Sequence, residues 1–123
     1  NRDIYLMNTN GDNQQQITEH SSDDYEPSFS SDGQSIVFTS ERDGNKEIYI
    51  YDLVENKIRN LTKNSGDDWN PRFFNDSEKV IFQSKRDGNW EIYSMKSNGS
   101  HQRNLSNHSS TDYSYVVVPL ARH

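Results

Sequence analysis

Cysteine is absent from this chain, which excludes disulfides and thiol chemistry. Hydrophobic residues make up only 29% of its 123 positions, and no apolar run approaches the ~20 residues that cross a bilayer as a helix. Positive charge is scarce as well. Thirteen Lys and Arg stand against nineteen Asp and Glu, for a formal net charge of −6. A general nucleic-acid binder needs the opposite, a basic stripe that displaces phosphate counterions. Catalytic signatures are missing too: there is no G-x-S-x-G nucleophile elbow, no H-E-x-x-H pair and no glycine-rich phosphate cradle. His20, His101, His108 and His123 are scattered over expected loops, and none is paired with a nucleophile by spacing.

What the chain does have is aromatic residues at fixed places, seven Tyr, five Phe and two Trp. A polarity this high would otherwise read as disorder. The stretch "SERDGNKEIYIYDL" (40–53) returns as "SKRDGNWEIYSMKS" (84–97), and the chain opens on "NRDIYLMNT". The copies superpose without gaps at a spacing of 44 residues: Asn1, Asn45 and Asn89 align, as do Ile4, Ile48 and Ile92, and Tyr5, Tyr49 and Tyr93. Further on, Ile17, Leu61 and Leu105 match, followed by Thr18, Thr62 and Ser106. Asp24, Asp68 and Asp112 come next, each followed by an aromatic, Tyr25, Trp69 or Tyr113. A period in this range is the mark of a repeat architecture.

Within one unit the apolar pattern has the period of strands. "EPSFS" (26–30), "SIVFTSER" (35–42), "EIYIYDL" (47–53) and "IRNLT" (58–62) read as four antiparallel strands. Turns at Asp32-Gly33, Asp43-Gly44 and Glu55-Asn56 separate them. No helix of useful length fits. In the third strand Ile48 and Ile50 face one way while Tyr49, Tyr51 and Leu53 face the other, so both faces are apolar. A sheet resting on one core would be polar on one side. Four-stranded sheets buried on both faces, at a period of 40 to 50 residues, are the blades of a β-propeller. The expected organisation is outer strands of an incomplete blade in 1–20, complete blades in 21–64 and 65–108, and an inner closing strand in 109–123. That amounts to about 2.8 repeats, below the roughly four blades that close a ring. Either the chain is part of a longer propeller, or copies close a ring together, two of them supplying about 5.6 units.

These residues resemble the TolB-type β-propeller repeat, a relative of the WD repeat. Its pattern appears as Pro27-Ser28-Phe29-Ser30-Ser31-Asp32-Gly33, Ile36-Val37-Phe38, Ser40 to Asn45, Glu47-Ile48-Tyr49 and Leu61-Thr62. It returns as Pro71-Arg72-Phe73, Val80-Ile81-Phe82, Arg86 to Asn89, Glu91-Ile92-Tyr93 and Leu105-Ser106. The third copy departs, with Tyr115 and Val117 where the others have Pro and Phe. The resemblance implies a bacterial, periplasmic or extracellular, non-catalytic module that binds protein or peptide. Two alternatives accompany it: an accessory substrate-gating propeller of a larger enzyme such as a serine peptidase, and a carbohydrate-binding propeller.

Three groups of residues are candidates for chemistry. In the "RDGN" turns, Asp43, Asn45 and Glu47 alternate like calcium ligands, but an EF-hand loop needs about 12 residues, whereas Asp, Asn and Gly also serve an interstrand turn. Arg42 and Arg86 are expected to brace a neighbouring blade or turn through Asp43 and Asp87. The lead-in segments "SSDDYEP" (21–27) and "SGDDWNP" (65–71) place Asp23, Asp24, Asp67, Asp68 and Asp112 near one mouth of an axial channel. Asp24, Asp68 and Asp112 are candidates there for a metal such as calcium, Asp23 and Asp67 for contact with a basic peptide partner, and each Asp could equally cap its own turn. Tyr25, Trp69 and Tyr113 stand beside them, either as partner anchors or as core. Trp90 aligns with Lys46 and Arg2, a position the blade does not dictate. It is the leading contact candidate, the other reading being packing on an adjacent loop.

Overall fold

The computed structural model describes residues 1–106. β1 (Tyr5–Leu6) and β2 (Gln15–Gln16) form a two-stranded sheet. β3 (Asp24–Phe29), β4 (Ser35–Ser40), β5 (Glu47–Asp52) and β6 (Lys57–Asn60) form a four-stranded antiparallel sheet in sequential order. A second sheet repeats it with β7 (Asp68–Phe74), β8 (Lys79–Ser84), β9 (Glu91–Lys96) and β10 (Arg103–Asn104). No helix occurs among the described residues. The expected closing strand in 109–123 lies outside them, as do Asp112 and Tyr113.

The aligned residues explain the sheets. Gly44 and Gly88 both have φ near +92°, which glycine adopts without a Cβ clash, and each amide closes a turn onto Glu41 or Lys85. The Leu-Thr/Ser motif is a lock: the hydroxyls of Thr18, Thr62 and Ser106 accept the amides of Ile4, Ile48 and Ile92 at 2.9–3.1 Å. β3 and β7 begin two residues earlier than "EPSFS" and its copy predict, because Asp24 and Asp68 still pair with Ser40 and Ser84 of the next strand; their amides bond the carbonyls of Arg2 and Lys46 at 2.8 Å. β4 stops two residues earlier than "SIVFTSER", where Glu41 and Arg42 enter the turn.

The first four-stranded sheet is packed on both faces. Val37, Ile48, Ile50 and Leu61 meet Val80, Phe82, Tyr93 and Met95 between the two large sheets. On the other face of the first sheet, Ile36, Phe38 and Tyr49 meet Ile4, with Ile17 beside them. Burying Phe38 and Phe82 completely contributes about 1.5–3 kcal/mol each. β7 packs against β3, β4 and β5, whereas the last strands β6 and β10 do not touch. The first strands therefore converge and the last strands splay, the wedge arrangement of neighbouring blades.

The wedge has two ends. At the crossover end lie the loops into β3 and β7 and the turns 41–46 and 85–90. At the hairpin end lie the turns 30–34, 53–56, 75–78 and 97–102.

Candidate functional site

The crossover end gathers most of the candidates, and much of their polarity is spent between sheets. Asn45 donates to the carbonyls of Asn64 and Gly66, both at 3.0 Å, and Asn1 does the same to His20 and Ser22. The Asp23 and Asp67 carboxylates accept the amides of Arg2 and Lys46 at 2.8 and 3.0 Å. The Arg2 amide bond, aided by the Arg2 guanidinium, holds the Asp23 carboxyl below the usual carboxylate range. These repeated bonds stitch each hairpin turn to the loop of the following sheet.

Arg42 and Arg86 bind other partners than expected. Instead of Asp43 and Asp87 they pair with Asp24 at 3.0 Å and Asp68 at 3.2 Å, whose side chains are fully buried. The exposed turn aspartates are already taken by phenols: Tyr49 donates to Asp43 and Tyr93 to Asp87. Burial first, and then that bond to a carboxylate, raises both phenol pKa values, Tyr93 to about 12. A buried carboxylate needs a cation beside it, and the turn arginines are the cations within reach. In the calcium-like turn Glu47 is engaged by protein donors too, accepting from Asn45, Asn60 and the Lys63 amide. No group of three His, Asp or Glu residues stands together as a metal site among the described residues.

The aromatics remain as surface. Trp90 lies half-buried on Trp69, with ring centroids 5.0 Å apart and planes at 28°. Lys46, from the preceding sheet, places its ammonium 4.2 Å from the Trp69 centroid. In the equivalent position Arg2 lies 4.2 Å over Tyr25, whose hydroxyl donates to Glu41 at 2.8 Å. Burial and that bond push the Tyr25 pKa up. The result is a rim of alternating cations and aromatic rings, half-buried against the blades.

Sequence reasoning missed Glu26 and Asn70. Both adopt φ of +56° at bulges just before Pro27 and Pro71. The Glu26 carboxylate accepts the Asn70 amide at 3.1 Å and the Thr39 hydroxyl at 2.9 Å, joining adjacent bulges. A polar residue before proline at the same place in both repeats was the available signal.

The comparisons agree with this geometry. The profile of the TolB beta propeller domain matches residues 1–52 and 41–121. The chain belongs to the TolB β-propeller family. A protein from Agrobacterium tumefaciens assigned as TolB superposes with a TM-score of 0.80 at 25% identity, over 90% of this chain and 40% of its own. TolB from Acinetobacter baumannii superposes with a TM-score of 0.76 at 32% identity, over 89% of this chain and 27% of its own. The nidogen/laminin complex contributes a likeness of fold alone, with a TM-score of 0.71 at 12% identity over 89% of this chain and 42% of that one. No curated protein matches by sequence. This TolB-type chain thus spans less than half the length of the TolB structures it matches.

Proposed function

We propose that this propeller segment is a non-catalytic binding module for protein or peptide, with the Lys46–Trp69–Trp90 rim as its contact surface. The observation that carries the reading is the stack of two tryptophans at a position where the aligned residues are Tyr25 and Lys46. Tryptophan is favoured at contact hot spots because a large rigid ring buries much area at little entropic cost. The rim is held by the inter-sheet bonds above, so a partner would dock on preformed loops. A periplasmic or extracellular setting goes with this reading, on the family resemblance.

Both tryptophans of the chain sit at this rim, so intrinsic fluorescence reports on it selectively. The test is an array of acidic, basic and aromatic decapeptides, followed by fluorescence titration of each hit. Saturable quenching that disappears in Trp90→Ala, with the strand signal in circular dichroism retained, supports the reading. Peptide binding that Trp90→Ala leaves unchanged, or no binding to any decapeptide, overturns the rim assignment.

A further inference from the structure

At the hairpin end, opposite the rim, the two large sheets splay around a cleft of about 490 Å³. Volumes of roughly 300–1,000 Å³ are usual for small-molecule sites. Its apolar lining comes from Ile50 and Phe73, the second half-buried against the core. Around that surface stand Arg59, Asn98, Asp32 and Asp52.

The polar groups of this cleft are only partly used. Asp52 spends Oδ1 on the amides of Val54 and Glu55, and Asp32 spends Oδ1 on Ser30 and the Gln34 amide. Neither Oδ2 bonds to any described residue. Asn98 accepts from Ser100 through Oδ1 and keeps its NH₂ free among the described residues. The Arg59 guanidinium makes no hydrogen bond or ion pair among them.

The repeat shows that the blade does not require Asp52 or Asn98. Asp52 is matched by Asn8 and Lys96 and Asn98 by Val54, whereas Arg59 and Asp32 recur as Arg103 and Asp76. The rim of the cleft is also unusual. Asn75, Asp76 and Ser77 are three successive residues at φ between +52° and +68°, where the first sheet uses Gly33. Backbone held in this region costs energy and gathers at functional sites.

We propose that this cleft binds a neutral saccharide of one or two rings. The donors and acceptors are interleaved: carboxylate oxygens accept from sugar hydroxyls, while the guanidinium and the amide donate to them. The apolar C–H face of a pyranose matches the Ile50 and Phe73 surface. An ionic ligand of either sign fits worse, since the same walls carry Arg59 and Lys57 as well as Asp32, Asp52, Glu55 and Asp76. The site is independent of the peptide reading, because the tryptophan rim lies at the other end of the sheets.

The test is a titration of the intact, ¹⁵N-labelled chain with cellobiose, maltose, lactose and N,N′-diacetylchitobiose, read by amide chemical shifts. At least one saccharide is expected to give saturable shifts in residues 50–59, 73–77 and 97–99, with a millimolar Kd. Arg59→Ala and Asn98→Ala should each weaken that binding about tenfold or more. Both residues are exposed; the urea midpoint should not move in Arg59→Ala, and in Asn98→Ala it should fall only by the lost turn bond to Ser100. The proposal fails if none of the saccharides shifts those amides at tens of millimolar, or if the shifts survive in the Arg59→Ala, Asn98→Ala double variant. It also fails if the shifts fall at Trp69 and Trp90, or if a Lys-Glu dipeptide alone binds the cleft.

Discussion

Two junctions hold this segment together, one between β1–β2 and the first four-stranded sheet, the other between the two four-stranded sheets. They use residues 44 apart, yet they satisfy them unequally. In the second junction Asn64 accepts the Gly66 amide through Oδ1 and donates through Nδ2 to buried Asp68. In the first junction His20 stands at the Asn64 position. Its Nδ1 accepts the Ser22 amide at 3.1 Å, but its other nitrogen lies across the ring, and Asp24 Oδ1 is left buried with no partner. Gly66 is replaced by Ser22. The Tyr25–Glu41 pair becomes Trp69 with Lys85, and the Trp69 indole N–H is itself buried without a partner. What is identical in both junctions, the Arg–Asp pair and the Asn and Asp stitches, is what the architecture demands. What differs is local.

Removing the shared element should have the largest effect. Arg42→Ala leaves Asp24 buried without its cation and should cost about 3–5 kcal/mol, read from the urea midpoint. Arg86→Ala should cost less, since Asp68 keeps Asn64. An equal or larger loss for Arg86→Ala would show that the Asn64 bond carries no weight. Gly66→Ala comes next. A Cβ there would stand 2.6 Å from Arg86 Cα, and overpacking of this kind costs about 1–3 kcal/mol. Ser22→Ala, at the matching place, should stay within about 0.5 kcal/mol.

A smaller change in the opposite direction should come from His20→Asn, which supplies the donor that Asp24 lacks. It should stabilise by about 1 kcal/mol, visible as a higher midpoint, whereas Asn64→His should lose a similar amount. The last effect is nil at neutral pH. Tyr25, Tyr49 and Tyr93 have folded pKa values above the unfolded value of about 10. Their contribution is therefore complete below pH 10 and declines as pH rises toward the folded values. Urea midpoints should fall across this range, in step with tyrosinate absorbance. Tyr25→Phe should remove only the part due to Tyr25, because Tyr49 and Tyr93 keep their own bonds to Asp43 and Asp87.

Much of the fold was legible because a repeat is its own alignment. Equivalent residues such as Ile4, Ile48 and Ile92 mark the strands, and apolar residues on both faces of β5 require a sheet on either side. The roles of the charged residues were less legible. Arg42 is adjacent to Asp43 in the chain and eighteen residues from Asp24, so adjacency pointed to the wrong carboxylate. Only burial distinguishes them: Asp24 is in the interior and must be neutralised there, while Asp43 lies at the surface. Trp90 was singled out by its departure from Lys46 and Arg2. Its stacking on Trp69 depends on how β7 and β9 are placed within one sheet.

The sequence by itself determined the unit, its period, its strands and its family, because these depend on local turn chemistry and on alternation along the chain. The tertiary structure decided which Asp each Arg neutralises, which rings stack, and where the splayed sheets leave an open cleft. Those outcomes depend on distances between residues far apart in the chain, which are set only when the sheets pack.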